Sequence, residues 1–560
     1  MKLKCLSVIS LLTLSMFSCI DQSWDLSKIK NDEILLFTEG VSLPGGNFET
    51  IRFDKQQLEK LLPDMKGNLV QRGNQMFIEY VTDTNRISTD EMKAAIFDQI
   101  TFGKETPLEY PINEFEGGMI PAGTYKLTTK EVYAIDPEAT VGESIKRLDL
   151  ITLIDGFLKI DISQAGIMSQ SAEDQLQFEI KVPSEITIKE SQSSDYVFEN
   201  GVIRFSVAFS KLSDNKHAVI LIPVSQIENP LNVQPFIVES SLVSTGIPYN
   251  AGANITVVMG PQILEENMER IEGKFSFQFD EIQMPIEKNL LEQLYDAFGD
   301  EAVTDFYQPQ LLLKTNSSFT VASNMDLSMH YQLRNEQEGS ESVNVALKAS
   351  GKNIMTETLY HLGTRVTNDP VNNNYTYDLT KVLKEGRRNL TITAVVKLDE
   401  SVERQVLYSH MEAEISAVFE TPFVFGKDLK ADINEQKEEV FDQKTIDLLF
   451  SAENSEVYID ALVTKDVPLN IKLDIDVLDE NNQPVGVQIA DVLLSDTDSQ
   501  QIEFIVSKED APKMIRARNL LLKGNVFTDE SLAGKVITVD NFVDIKNLKI
   551  RKKGGVIIKP

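Results

Sequence analysis

Met325-Asp326-Leu327-Ser328-Met329-His330-Tyr331-Gln332-Leu333-Arg334 reads apolar, polar, apolar, polar for ten residues. Period two puts the five apolar side chains on one face of an extended strand and the polar ones on the other. A strand with one greasy face and one wet face is half-buried and belongs in an antiparallel sheet lying on a core. The signature returns at Leu469, Ile471, Leu473, Ile475 and Val477, which alternate with Asn470, Lys472, Asp474 and Asp476. Asp479-Glu480-Asn481-Asn482 follows as a turn. These stretches predict a mainly β fold: tandem antiparallel β-sandwich domains, Ig-like or fibronectin-like, with a few short helices.

Other strands fit around these two. Tyr196 to Glu199 and Val202 to Phe205 flank Asn200-Gly201, the pair that supplies the two positive φ angles of a tight hairpin turn. Ala218 to Val224 and Ala253 to Met259 are apolar runs of strand length. Nearer the start, Ile34 to Phe37 and Glu49 to Phe53 are strand-like, and Asp54 to Leu62 reads as a helix stopped by Pro63. Ser88 and Glu91 have capping-box spacing ahead of Met92, Ala95, Ile96 and Ile100, which predicts a second helix. A third is expected over Ile286 to Phe298, with Pro285 at its first turn and Gly299 as its stop.

One internal echo appears. Leu242-Val243-Ser244-Thr245-Gly246-Ile247-Pro248-Tyr249-Asn250 matches Leu462-Val463-Thr464-Lys465-Asp466-Val467-Pro468-Leu469-Asn470, and Leu312-Leu313 with Thr315-Asn316 resembles a degraded third copy. The shared pattern fits a strand, a short turn and a second strand entered through proline, and it stands open between a domain repeat and coincidence. The division expected is a signal peptide over 1–18, a tether over 19–33, an α+β domain over 34–135 and β-sandwiches over 136–260, 261–425 (with one helix) and 426–560.

The chain has 560 residues, 42% of them hydrophobic, enough for several real cores. Its 54 basic and 86 acidic residues leave a net charge of -32. Such a surface repels phosphate backbones and anionic lipid, so nucleic acid is not an expected partner. The start has a different character. Lys2 and Lys4 precede an apolar run from Leu6 to Phe17, of secretory-signal length and too short to span a bilayer. Cys5 directly precedes it, and Cys19, two residues beyond it, is the only other cysteine, so no disulfide is expected in the body.

Met16-Phe17-Ser18-Cys19 resembles a bacterial lipobox, with Met16 where Leu is commonest and Phe17 where a smaller residue is usual. The resemblance implies that Cys19 is lipidated and becomes the new N-terminus. The stretch beyond it, Ser23-Trp24-Asp25-Leu26-Ser27-Lys28-Ile29, is similar to the start of many uncharacterised lipoproteins of Bacteroidetes-type bacteria. That likeness implies an all-β cell-envelope protein, often associated with nutrient uptake, held at the outer membrane by its lipid. Asp21 and Asp25 are the acidic residues close to the cysteine, and surface and periplasmic faces both stay open.

Chemistry-bearing motifs are few. His217, His330, His361 and His410 share no metal-ligand spacing. No nucleophile elbow, phosphate loop or dinucleotide fingerprint occurs. Asp474-Ile475-Asp476 and Asp496-Thr497-Asp498 look calcium-like, but neither continues into a full binding loop. With 86 acids, no carboxylate pair singles itself out as a glycosidase centre. The lone Trp24 lies in the tether, which weakens a glycan-platform reading that the 14 tyrosines keep open.

The expectation is therefore not an enzyme: no catalytic residue, no cofactor and no metal site, with Cys19 as lipidation site. The function expected is a non-catalytic binding or assembly module, with an accessory role in outer-membrane nutrient uptake left open. Its partners would be the membrane, through its lipid, and another outer-membrane protein or an extracellular polymer. The alternatives are a surface adhesin or fimbria-associated subunit, which would exchange strands between copies, and an envelope hydrolase with an unrecognised site.

Overall fold

A computed structural model describes residues 41–553, apart from 47–49, 113–114, 116–117, 136–140, 170, 190–194, 213–215, 264–266, 287–289, 300–301, 438–445, 447–448, 451–455 and 496–498. The leader, Cys19, the tether and Ile34 to Phe37 lie outside the described residues.

Nine short strands come first. They are β1 (Val41–Gly46), β2 (Ile51–Arg52), β3 (Leu69–Arg72), β4 (Gln75–Val81), β5 (Asn85–Ile87), β6 (Thr106–Pro111), β7 (Met119–Ile120), β8 (Gly123–Lys126) and β9 (Lys130–Val132). A first run of longer strands follows: β10 (Ile145–Ile167), β11 (Gln175–Lys181), β12 (Ile186–Ile188), β13 (Val197–Glu199), β14 (Val202–Ala208), β15 (Ala218–Glu228), β16 (Phe236–Ser244), β17 (Ile247–Gln262) and β18 (Met268–Phe275). The second is β19 (Ile282–Pro285), β20 (Gln310–Ser317), β21 (Ser323–Leu333), β22 (Glu338–Leu347), β23 (Thr356–Gly363), β24 (Asn374–Thr376), β25 (Gly386–Leu398), β26 (Gln405–Tyr408) and β27 (Ala413–Pro422). The third is β28 (Lys430–Lys437), β29 (Glu456–Asp466), β30 (Asn470–Leu478), β31 (Pro484–Leu494), β32 (Ser499–Val506), β33 (Asn519–Phe527) and β34 (Phe542–Lys553).

Each run makes a two-sheet sandwich, and the strand order is the same three times. The first has β8-β16-β11-β14 and β15-β10-β17-β6. The second has β19-β25-β21-β22 and β23-β20-β27-β4. The third has β28-β33-β30-β31 and β32-β29-β34-β1. All these pairings are antiparallel. The alternation read from sequence is what fills the cores. On β21, Met325, Leu327, Met329 and Tyr331 are buried, each side chain contributing about 1.5–3 kcal/mol.

The last strand of each second sheet is supplied from far away. β6 closes the first sandwich on β17, β4 the second on β27, and β1 the third on β34. The N-terminal stretch is thus a strap laid across the sandwiches in reverse order. Its apolar side chains enter their cores: Leu108 and Tyr110 in the first, Met76 and Ile78 in the second. The α+β stretch expected over 34–135 is consequently distributed over all three sandwiches. Strands of two to seven residues bury too little area to stand as a sheet alone. Strand pairs also cross the other expected boundaries, since β18 lies on β10 and Val303 bridges to Lys430.

Local readings fared unevenly. Asn200 (φ 52°) and Gly201 (φ 74°) form the tight turn between β13 and β14, with Glu199 opposite Val202. The first predicted helix spans Lys55–Leu61, with the Asp54 carboxylate accepting from the Gln57 N–H at 2.9 Å. Pro285 does not begin a helix; it ends β19, and the helix is described from Leu290 to Phe298. Proline at the end of an edge strand and proline at a first helical turn have the same sequence signature. At Ser88 the capping box gives way to one α-turn, Asp90–Met92, running into a π-turn over Lys93–Phe97. The Ser88 hydroxyl instead accepts from the Asp90 N–H at 3.3 Å.

The echo marks two real corners. β16 to β17 and β29 to β30 each leave one sheet and enter the facing one. They are not equivalent positions in the threefold repeat, whereas Leu312 lies in β20, the counterpart of β29. A truer likeness is the turn after the third strand of a unit. Leu333 N donates to Gln337 O at 2.7 Å and Glu336 N to Leu333 O at 3.1 Å, while Asp479 N donates to Gln483 O at 2.9 Å and Asn482 N to Asp479 O at 3.0 Å. Glu336 and Asn482 both hold positive φ there, 65° and 59°.

Candidate functional site

The residues singled out by sequence do not converge. Cys19 lies outside the described residues, as do Asp496 to Asp498. His217 is exposed, its Nδ1 at 2.9 Å from Asp161 Oδ1, and His330 is exposed on the polar face of β21, its Nε2 at 3.2 Å from the Thr393 hydroxyl. His361 is half-buried on β23, and His410 is exposed. Asp476 accepts from the Lys523 ammonium at 2.8 Å, and Asp474 stands opposite Lys523 in register. Among the described residues no cluster of three His, Cys, Asp or Glu could hold a metal, and no helix is long and apolar enough to cross a membrane. A cavity of about 20 Å³ inside the second sandwich, lined by Ile87, Thr315, Phe319, Val321, Tyr360 and Ile415, has room for about one water.

Two joints hold the sandwiches together, and sequence reading passed over both. Between the first and second, buried Glu272 on β18 accepts from Arg404 at 2.7 Å and pairs with Arg270 at 3.0 Å. Between the second and third, buried Asp305 accepts from the Asp428 N–H at 3.0 Å and pairs with Lys384 at 3.3 Å. Gly426 is needed there because a Cβ would meet an Asp305 oxygen at 2.2 Å. The strap has its own clamp: the Arg72 guanidinium donates to Glu79 and to Glu420 of β27 and lies over the Phe77 ring. In the third sandwich, Lys465, read as part of a turn, is buried. Its ammonium donates to the carbonyls of Leu469 and Leu494 and pins the corner of the echo.

What remains as a surface able to recognise something is the side of each sandwich opposite the strap. It is finished differently three times. In the first sandwich β12 lies on β15 and β13 on β14. In the second, β24 lies on β23, in parallel, and β22 is the end of its sheet among the described residues. In the third, β31 and β32 are both end strands among the described residues, and a short helix, Ala511–Met514, lies against β31. Unpaired edge backbone is the part of a β protein most ready to accept another strand.

A protein family of unknown function (DUF4621) matches residues 286–558, just under half of the chain. The matched stretch takes in the second sandwich after β19 and the third to its last strand. No curated protein matches. Among solved structures the chain is similar to one described as a secreted protein from Parabacteroides distasonis, at 17% identity and a TM-score of 0.37, covering 51% of this chain and 89% of that one. The infectious bursal disease virus VP2 subviral particle follows at 7% identity and a TM-score of 0.14, over 90% of this chain and 87% of that one. The Gx strain of the same virus gives 9% and 0.14, over 87% and 81%. Likenesses this distant establish neither a shared fold nor a shared role.

Proposed function

We propose that the chain is a Bacteroidetes-type envelope lipoprotein, anchored through Cys19, whose sandwiches form a non-catalytic binding or assembly module. In this reading it is an accessory of outer-membrane uptake or of a surface assembly, and its partner is another outer-membrane protein or an extracellular polymer. The observation that carries the reading is the order Lys2, Lys4, apolar run, Ser18, Cys19, standing only 22 residues ahead of the first described strand of a strapped body. Rigid sheets with differently finished edges suit recognition, because the scaffold holds loops and edges still. Cys19→Ala is expected to move the protein out of the membrane fraction and to abolish incorporation of labelled fatty acid. Retention in membranes by that variant, with no label on the wild type, would end the anchor reading.

A second reading, a surface adhesin or fimbria-associated subunit, draws on the edge of β32, unpaired among the described residues, which is what strand exchange between copies would use. The strap weighs against it, since the edges of β17, β27 and β34 are already filled by the chain's own strands.

A further inference from the structure

β15, β23 and β32 occupy one and the same place in the threefold repeat. The chain covers the first with β12, antiparallel, and the second with β24, parallel. Both covers are three residues long and uncharged: Ile186-Thr187-Ile188 and Asn374-Tyr375-Thr376. Both turn large apolar side chains inward, Ile186 and Ile188 in one and Tyr375 in the other. In the second sandwich the cover comes from the connection to the next strand, residues 364–385. The corresponding connection in the third, 507–518, is too short to carry both a strand and its helix.

β32 also lacks the usual protection of an edge. Ser499-Gln500-Gln501-Ile502-Glu503-Phe504-Ile505-Val506 contains no proline and no lysine. Its one charge, Glu503, is taken up by Arg551 at 2.7 Å. Ile505 is 46% exposed, and Ile515, in the short connection that follows, is 46% exposed as well. A second copy is a poor occupant, because two bodies of net charge -32 repel and antiparallel self-pairing would set the two Glu503 carboxylates close together.

We infer that the β32 edge takes an extended, uncharged segment of another protein, with β-branched or aromatic residues at alternate positions, added as a further strand of the sheet. The inference rests on the binding-module reading and gives that module its contact. The test uses a fluorescein-labelled Ser-Ile-Thr-Ile-Thr-Ser peptide, patterned on β12, and a counterpart with Glu at both Ile positions. Each is titrated against the purified full chain in detergent and followed by anisotropy. Saturable binding of the first peptide is expected, weakened about tenfold or more by the Glu changes and by Ile505→Lys or Gln501→Lys, both at exposed positions. Leu221→Lys, on the covered first sandwich, is expected to leave it unchanged. No saturable binding, or equal binding by Ile505→Lys and Gln501→Lys with melting temperatures unaltered, overturns the inference. So does self-association of the wild type in sedimentation that Ile505→Lys abolishes, since the occupant is then a second copy. Fractionation of Cys19→Ala reads the anchor separately, so the edge can fail while the lipoprotein reading stands.

Discussion

The first and third sandwiches share a strand order, yet among the described residues one is covered on both sides and the other on one. The first spends two extra short strands, β12 and β13, on its far edges, and the third ends in β31 and β32. The strap side shows the opposite uniformity, because all three units receive a strand there. The comparison teaches that the strap edge is structural, required to complete a core, while the far edge is optional. Natural sheets left with an optional edge either blunt it or use it.

The comparison breaks most visibly if the strap is only a ribbon. Leu108 on β6 and Leu158 on β10 are both fully buried in the first sandwich. Leu108→Ala and Leu158→Ala should each cost about 2–4 kcal/mol in urea unfolding. A loss under about 1 kcal/mol for Leu108→Ala alone would separate the strap from the core it is said to complete. Next in size, Gly201→Val strains the turn that holds β13 on β14 and should cost about 1 kcal/mol or more. It should also speed amide exchange along β14, making the first sandwich resemble the third; unchanged exchange and melting would remove β13 as a cover.

Two smaller effects compare the repeats at a single position. Glu336 holds a left-handed conformation that Asn482 holds at the same turn in the third sandwich. Asn accepts that conformation more readily, so Glu336→Asn should raise stability by about 0.5–1 kcal/mol, and a lowered melting temperature would deny the equivalence. Smallest is a pH effect. Hydrogen bonds from Asn344 and then from Lys397 hold the Asp326 carboxyl below its ordinary range. A depressed folded pKa contributes stability above the unfolded value, about pH 4, and that contribution fades as pH falls through the folded one. Asp326→Asn should therefore lower stability slightly at neutrality, where the carboxylate contributes, and flatten the further loss below about pH 4.

How much of this was legible follows from how far each signal reaches. Alternation at 325–333 is local and fixed the face of β21 correctly, and Asn200-Gly201 fixed its own turn. The strap was not legible, because nothing in Thr106 to Pro111 names β17 as its partner; the same residues suit any edge. The repeat was hidden because a sandwich asks only for alternating apolar residues, so three units can keep an order while their sequences drift. The echo at 242–250 and 462–470 was noticed for its proline corner and pointed to inequivalent strands. The candidate edge was illegible for a related reason, since it is defined by a strand present in two units and absent from the described residues of the third. The start proposed to carry a lipid was read from sequence alone, on Lys2, Lys4 and Cys19.

The pairing of β1 with β34 sets Val41 opposite Lys552, so the first described strand waits for the last. Each doubling of an intervening loop adds only about 0.6 kcal/mol to the entropy of closure, so the wait costs little at equilibrium. In time it costs more, because contacts of such long range form slowly. A ribosome delivers β1 early and its mate only several hundred residues later. A polypeptide cut short anywhere before residue 542 would leave β1 unmated, with its backbone open to a quality-control protease. The strand order thus makes the arrival of β34 a condition of closing the third sandwich.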